Sequence, residues 1–181
     1  MQTSTNETWL KKYYFARAAF SFAWLAAAVT VGAHSRGIAD LLLVCYPLWD
    51  ALANLIDAQR SGGLASNRPQ AFNVVVSLMI AAAVYLALPD MNHVLGVFGF
   101  WAILSGLLQL GAGLRRRKQY GAQWAMMLSG GQSALAGAVF MFQAQSPAVP
   151  SIATVAGYAG FGAFYFLLSA LSLSIAIWRR T

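Results

Sequence analysis

Charge is what this sequence has least of. Only 9% of its 181 residues are charged, where an ordinary soluble domain carries about 25%. So little charge excludes a disordered chain, a nucleic-acid-binding tail protein and a typical cytosolic enzyme. Acid is scarcest: five Asp/Glu stand against twelve Lys/Arg, for a net charge of +7. A single cysteine, Cys45, excludes an intrachain disulfide. Two isolated histidines and five scattered acids do not suggest a metal site. No helical HExxH, phosphate-binding glycine loop or nucleophile elbow occurs. No catalytic residue, metal or cofactor is therefore assigned, and the chain reads as non-enzymatic.

What fills the sequence instead is apolar: 59% of it is hydrophobic, with a mean hydropathy of +0.60. These residues gather in six runs, Tyr14–Gly32, Ile38–Ala58, Phe72–Leu88, Val94–Leu114, Trp124–Phe142 and Ile152–Trp178. A spanning helix needs roughly 20 such residues. None of the runs alternates as a barrel strand must, and within hydrocarbon only a helix otherwise satisfies every backbone N–H and C=O. The expected fold is all-α, a polytopic membrane protein of six transmembrane helices. A short N-terminal segment, 1–12, precedes a single six-helix domain, 13–180. The first run has features of a secretory leader, with Lys11 and Lys12 ahead of it and Val31-Gly32-Ala33 as a small-residue site. Arg17 and Ser21 interrupt it, and it is read as a retained span.

Basic residues alternate with the connections. Eleven of the twelve fall on one side of this topology and only Arg36 on the other, so the positive-inside rule puts both termini in the cytoplasm. Trp9, Tyr13, Tyr14, Tyr120, Trp124 and Trp178 lie beside the basic stretches, as an interfacial belt would. Arg115, Arg116, Arg117 and Lys118 are placed to contact anionic lipid headgroups. Membrane lipids are thus the expected partners; no nucleic acid is expected, and no small-molecule ligand can be named.

An internal repeat follows. Tyr46, Asp50, Leu52 and Arg60 in the second span match Trp101, Ser105, Leu107 and Arg115 in the fourth and Tyr165, Ser169, Leu171 and Arg179 in the sixth. The odd-numbered spans align through Ser21, Ser77 and Ser133, preceded four residues earlier by Arg17, Asn73 and Ser129. The implied architecture is three parallel helical hairpins, about 13–59, 70–115 and 122–179, related by a pseudo-threefold axis along the membrane normal. Small residues at four-residue spacing, Ser129-Ser133-Gly137, Ala153-Gly157 and Ala156-Gly160, suit close helix contact. They serve either the bundle itself or a homo-oligomer.

The run Arg115…Trp124-Ala-Met-Met-Leu-Ser-Gly130-Gly131…Gly137…Pro150…Gly157…Gly162…Arg179 resembles the HdeD-like family of short-repeat bacterial membrane proteins. The resemblance covers roughly Tyr14 to Arg180. It implies six spans in the bacterial inner membrane and a part in acid or envelope stress tolerance. The first hairpin departs from the pattern, being richer in charge and lacking the closing proline.

That hairpin carries the informative charges. A central Asp costs about 2.5–3.5 kcal/mol on insertion, and the eight Leu, Ile and Val around Asp50 return roughly 2.4–4.8 kcal/mol. The second span is therefore marginal. Asn54 and Asp57 follow Asp50 on one helical stripe, which must face protein or water. An Arg17–Asp57 ion pair is expected, since both sit near the cytoplasmic end. Asp50 then has no evident cation. It either hydrogen-bonds Ser21, Ser105 or Gln132, or lines a polar cavity with Asn54, Gln109 and Gln132. The second arrangement would make the chain a small transporter or channel. His34 and His93, both on the extracytoplasmic side, could sense external acidity.

Overall fold

The computed structural model describes residues 2–118 and 123–179, with side chains from residue 7 onward. These form six α-helices: α1 Gln2–Thr30, α2 Arg36–Arg60, α3 Arg68–Ala87, α4 Met91–Arg116, α5 Trp124–Gln143 and α6 Ile152–Trp178. A single 3-10 turn, Gly32–His34, joins α1 to α2, and no strand occurs among the described residues. All six helices are long and apolar enough to cross a bilayer, so the architecture is that of a multi-pass membrane protein.

Five helices begin and end within a few residues of the apolar runs. α1 does not: it starts twelve residues before Tyr14. The reason is an amphipathic extension. Leu10, Tyr13 and Tyr14 are buried in one cluster with Phe166 and Leu173 of α6, while Lys12 stays exposed. From residue 2 the chain is therefore part of the first helix and not a separate segment.

Local chemistry fixes the other ends. α2 closes in a Schellman turn: the Gly63 amide donates to the Ala58 carbonyl at 2.8 Å, with Gly62 at φ +98°. Only glycine takes that left-handed conformation without strain. Pro69 opens α3, where a missing N–H costs nothing. Asp90 caps α4 by accepting from the Asn92 amide at 2.8 Å. Pro47 lies buried inside α2, where it removes one helical hydrogen bond.

The helices form a ring in which each meets its chain neighbours and α6 closes onto α1. Packing around the ring is uneven. α4 with α5, α1 with α6, and α2 with α3 make the extensive contacts, whereas α1 with α2, α3 with α4, and α5 with α6 meet sparingly. The closest approach lies along α4 and α5. A β-carbon added at Gly106 would lie 2.6 Å from the Gly130 carbonyl oxygen, and one at Gly99 would lie 2.9 Å from that of Gly137. Backbone thus touches backbone, the kind of contact that holds helices together where lipid supplies no hydrophobic force.

Of the small-residue stripes, Ser133 and Gly137 pack within the chain against α4, and Gly160 faces Leu25 of α1. Ala153 and Gly157 are exposed. The half of the ring away from the chain termini is filled by an apolar core that includes Trp24, Leu43, Val84, Leu95, Phe98, Phe140 and Val155. The other half surrounds a polar cavity, with the smaller apolar cluster of Leu10, Tyr14, Phe166 and Leu173 beside it.

Candidate functional site: a polar cavity in the basic half of the bundle

Six helices each turn one stripe inward, at the three-, four- and seven-residue spacings of a single helical face. Arg17 and Ser21 come from α1, Asp50, Asn54 and Asp57 from α2, and Gln70 and Asn73 from α3. α4 adds Ser105 and Gln109, α5 adds Ser129, Gln132 and Ser133, and α6 adds Tyr158 and Tyr165. Together they enclose a cavity of about 140 Å³. From Tyr46 to Asp57 on α2 it extends roughly 16 Å, at 1.5 Å per residue, which is about half of a 30 Å hydrocarbon core.

Asp50 is the hub of the cavity wall. Its Oδ1 accepts from the Arg17 guanidinium, and the two side chains are only 7% and 14% exposed. Its Oδ2 accepts from Ser77 Oγ at 2.9 Å, Asn54 Nδ2 at 3.1 Å and Asn73 Nδ2 at 3.2 Å. Arg17 in turn donates to Tyr13 Oη at 2.9 Å and lies over the Phe166 ring, 4.4 Å from its centroid. Desolvated charges need this kind of completion, because an ion pair alone does not recover its hydration.

Nearer the basic end, Asp57 accepts from Arg116 Nη2 at 2.9 Å, Trp9 Nε1 at 3.4 Å and Gln70 Nε2 at 3.5 Å. The expected Arg17–Asp57 pair is therefore replaced by two others, Arg17–Asp50 and Arg116–Asp57. Register explains the difference. Arg17 lies sixteen residues before Ala33 of the connecting turn and Asp50 seventeen after it, so an antiparallel pair of helices levels them. Asp57 is two turns deeper toward the basic end, where α4 delivers Arg116. Arg116 consequently points inward, leaving Arg115, Arg117 and Lys118 exposed for headgroups.

Other expectations resolve as follows. Asp50, Asn54, Asp57, Gln109 and Gln132 all line the one cavity. Among the described residues, Asp50 makes no hydrogen bond to Ser21, Ser105 or Gln132. Of the proposed aromatic belt, Trp124 and Trp178 are exposed, but Tyr13 and Tyr14 are buried and face the cavity. Tyr120 lies outside the described residues. His34 Nδ1 donates to the Thr30 carbonyl at 2.8 Å, and His93 sits 3.5 Å from Asp90 with its side chain 77% exposed. Both are remote from the cavity. Among the described residues no three His, Cys, Asp or Glu gather as a metal site would require.

The inner end of the cavity is a floor of three aromatic residues, each tied to a serine. Ser21 meets Tyr46 Oη at 3.4 Å, Trp101 Nε1 donates to Ser77 Oγ at 3.1 Å, and Ser133 meets Tyr158 Oη at 2.7 Å. Beneath them lies a second aromatic tier: Trp24 packs on Tyr46, Phe98 on Trp101 and Phe140 on Tyr158, with ring centroids 4.7, 5.8 and 5.7 Å apart. The sequence aligned the serines but did not point to their aromatic partners, and it offered Ser21 to Asp50 instead. The signal lay in their common distance to an aromatic, 25, 24 and 25 residues along the chain. No protein family, curated protein or solved structure matches this chain.

Proposed function

We propose that this is a small bacterial inner-membrane transporter, non-enzymatic, with both termini in the cytoplasm and the cavity open to that side. The observation that carries the reading is the polar cavity itself: a stripe packed dry between helices would speak for a scaffold, and this one faces an open volume that contains Asp50. The floor of aromatic residues seals the path at mid-membrane, so passage requires the three serine–aromatic contacts to part. The three hydrogen bonds at nearly equal chain separation also support a pseudo-threefold relation between the hairpins. In that register Tyr158, and not Tyr165, corresponds to Tyr46 and Trp101. Leu52, Leu107 and Phe164, each six residues further on, are then alike in exposure, at 48%, 53% and 53%.

The test is flux into proteoliposomes across a panel of protons, alkali cations, small anions and small neutral solutes. At least one should pass faster than through protein-free vesicles, and Ala112→Phe, which fills the cavity near its mouth, should stop it. A panel silent throughout removes the transport reading. A second reading, HdeD-like tolerance of acid or envelope stress without solute passage, draws on the repeated hairpins and on Asp50 being fully engaged. Its signature is lost survival of a deletion strain on acid challenge together with that silence.

A further inference from the structure

The charges of the cavity balance. Arg17 and Arg116 offset Asp50 and Asp57, and each of the four is held in an ion pair. Asp50 has both oxygens occupied, by one cation and three neutral donors. No carboxylate is left to strip the water from a metal ion or alkali cation, and no unpaired arginine awaits an anion. An ionic guest would bring net charge into a site that has none to offset it, at a steep desolvation cost.

Apart from Arg17 Nε, which is buried without a partner, the unused hydrogen-bonding capacity is of another kind, and it includes Trp49 Nε1 and Asn73 Oδ1. Ser129, Gln132 and Tyr165 line the cavity and make no side-chain hydrogen bond to another described residue. Gln109 donates to the Met126 carbonyl at 3.3 Å, leaving its own amide oxygen open. These are amides and hydroxyls, each able to give and to receive a hydrogen bond. Aromatic side chains line the same volume, Tyr14, Trp49 and Phe166 among them. At about 140 Å³ the space is close to the 150 Å³ of an engineered cavity that admits benzene, a guest of six heavy atoms.

Building on the transport reading, we infer that the cavity selects a small uncharged solute that both donates and accepts hydrogen bonds, of the polyol or amide type, and that Gln132 is one of its recognition residues. The neutral amides and hydroxyls match the polar edge of such a solute, the aromatic lining matches its C–H surface, and the paired charges hold the helices that present them.

The experiment uses full-length protein in proteoliposomes, with glycerol and urea as probes followed by stopped-flow light scattering. Acetate, potassium and proton movement are followed by dyes on the same vesicles. Glycerol or urea should enter well above the protein-free rate while the ions do not. Gln132→Leu should slow that influx about fivefold, the effect of one neutral hydrogen bond. Gln132→Asn, which keeps the amide, should retain most of it and so separates recognition from folding. Leu107→Ala, on the lipid face, should change nothing. Ion flux with glycerol and urea excluded overturns the solute class and leaves transport standing; influx indifferent to Gln132→Leu overturns the assigned residue; vesicles silent to every probe overturn this inference and the transport reading together.

Discussion

Two arginines and two aspartates decide whether the ring can close around its polar cavity. Removing one partner of a buried pair leaves the other charged and uncompensated, at about 3–5 kcal/mol, whereas replacing both by apolar residues of similar volume is often neutral. Asp50→Ala should therefore lower stability by about 3–5 kcal/mol in a denaturant titration of the detergent-solubilised protein. The double change Arg17→Met with Asp50→Leu should recover most of that loss. A single variant as stable as wild type would mean that the pair is not desolvated. The sequence revealed that these charges share a helical stripe, because a 3.6-residue period is written in the spacing of Asp50, Asn54 and Asp57. It misassigned their partners. Depth judged from the fuzzy edge of an apolar run placed Arg17 level with Asp57, while depth counted from the turn levels it with Asp50. Arg116 escaped notice because a run of four basic residues looks like a solvated anchor, and only the fold shows one of them turning inward.

At the level of helices, apolar runs gave the existence of all six long apolar helices but not which ones pack tightly. In lipid, uniform greasiness carries no pairing information; shape does. Gly99 and Gly106 on α4 face Gly137 and Gly130 on α5, and Gly113 faces Met127, through a groove that no hydropathy scale sees. Gly106→Val should force the helices apart and cost at least about 1–3 kcal/mol, the usual penalty of overpacking. Gly131→Ala, where a β-carbon meets nothing within 4 Å, should stay within about 0.5 kcal/mol of wild type. Both are read from thermal unfolding in detergent. Equal effects at the two positions would refute the backbone contact.

For the molecule as a whole, tight pairs alternate with loose seams around the ring. Each loose seam, α1 with α2, α3 with α4 and α5 with α6, is bridged at the floor by one serine–aromatic hydrogen bond. Access to the cavity should then be one-sided. On a Cys45→Ser background, Asn54→Cys should react with a membrane-impermeant thiol reagent from the basic side only, and Leu43→Cys, fully buried in the far core, from neither. Labelling of Asn54→Cys from the opposite side would invert the topology. The sequence foretold the basic face through its eleven-to-one partition of Lys and Arg, but the stopper of paired aromatic tiers was not legible. Its members are scattered over five helices, from Trp24 to Tyr158, and read singly they look like ordinary core.

That stopper also reshapes the electrical profile of the membrane. On the transport reading, water entering from one face would carry the bulk potential inward as far as Asp50, and the voltage drop would be compressed into the aromatic half. A unit charge crossing there would feel the full 2.3 kcal/mol per 100 mV over a shortened distance. An uncharged passenger feels none of it, and its direction of travel is set by its own concentration gradient alone.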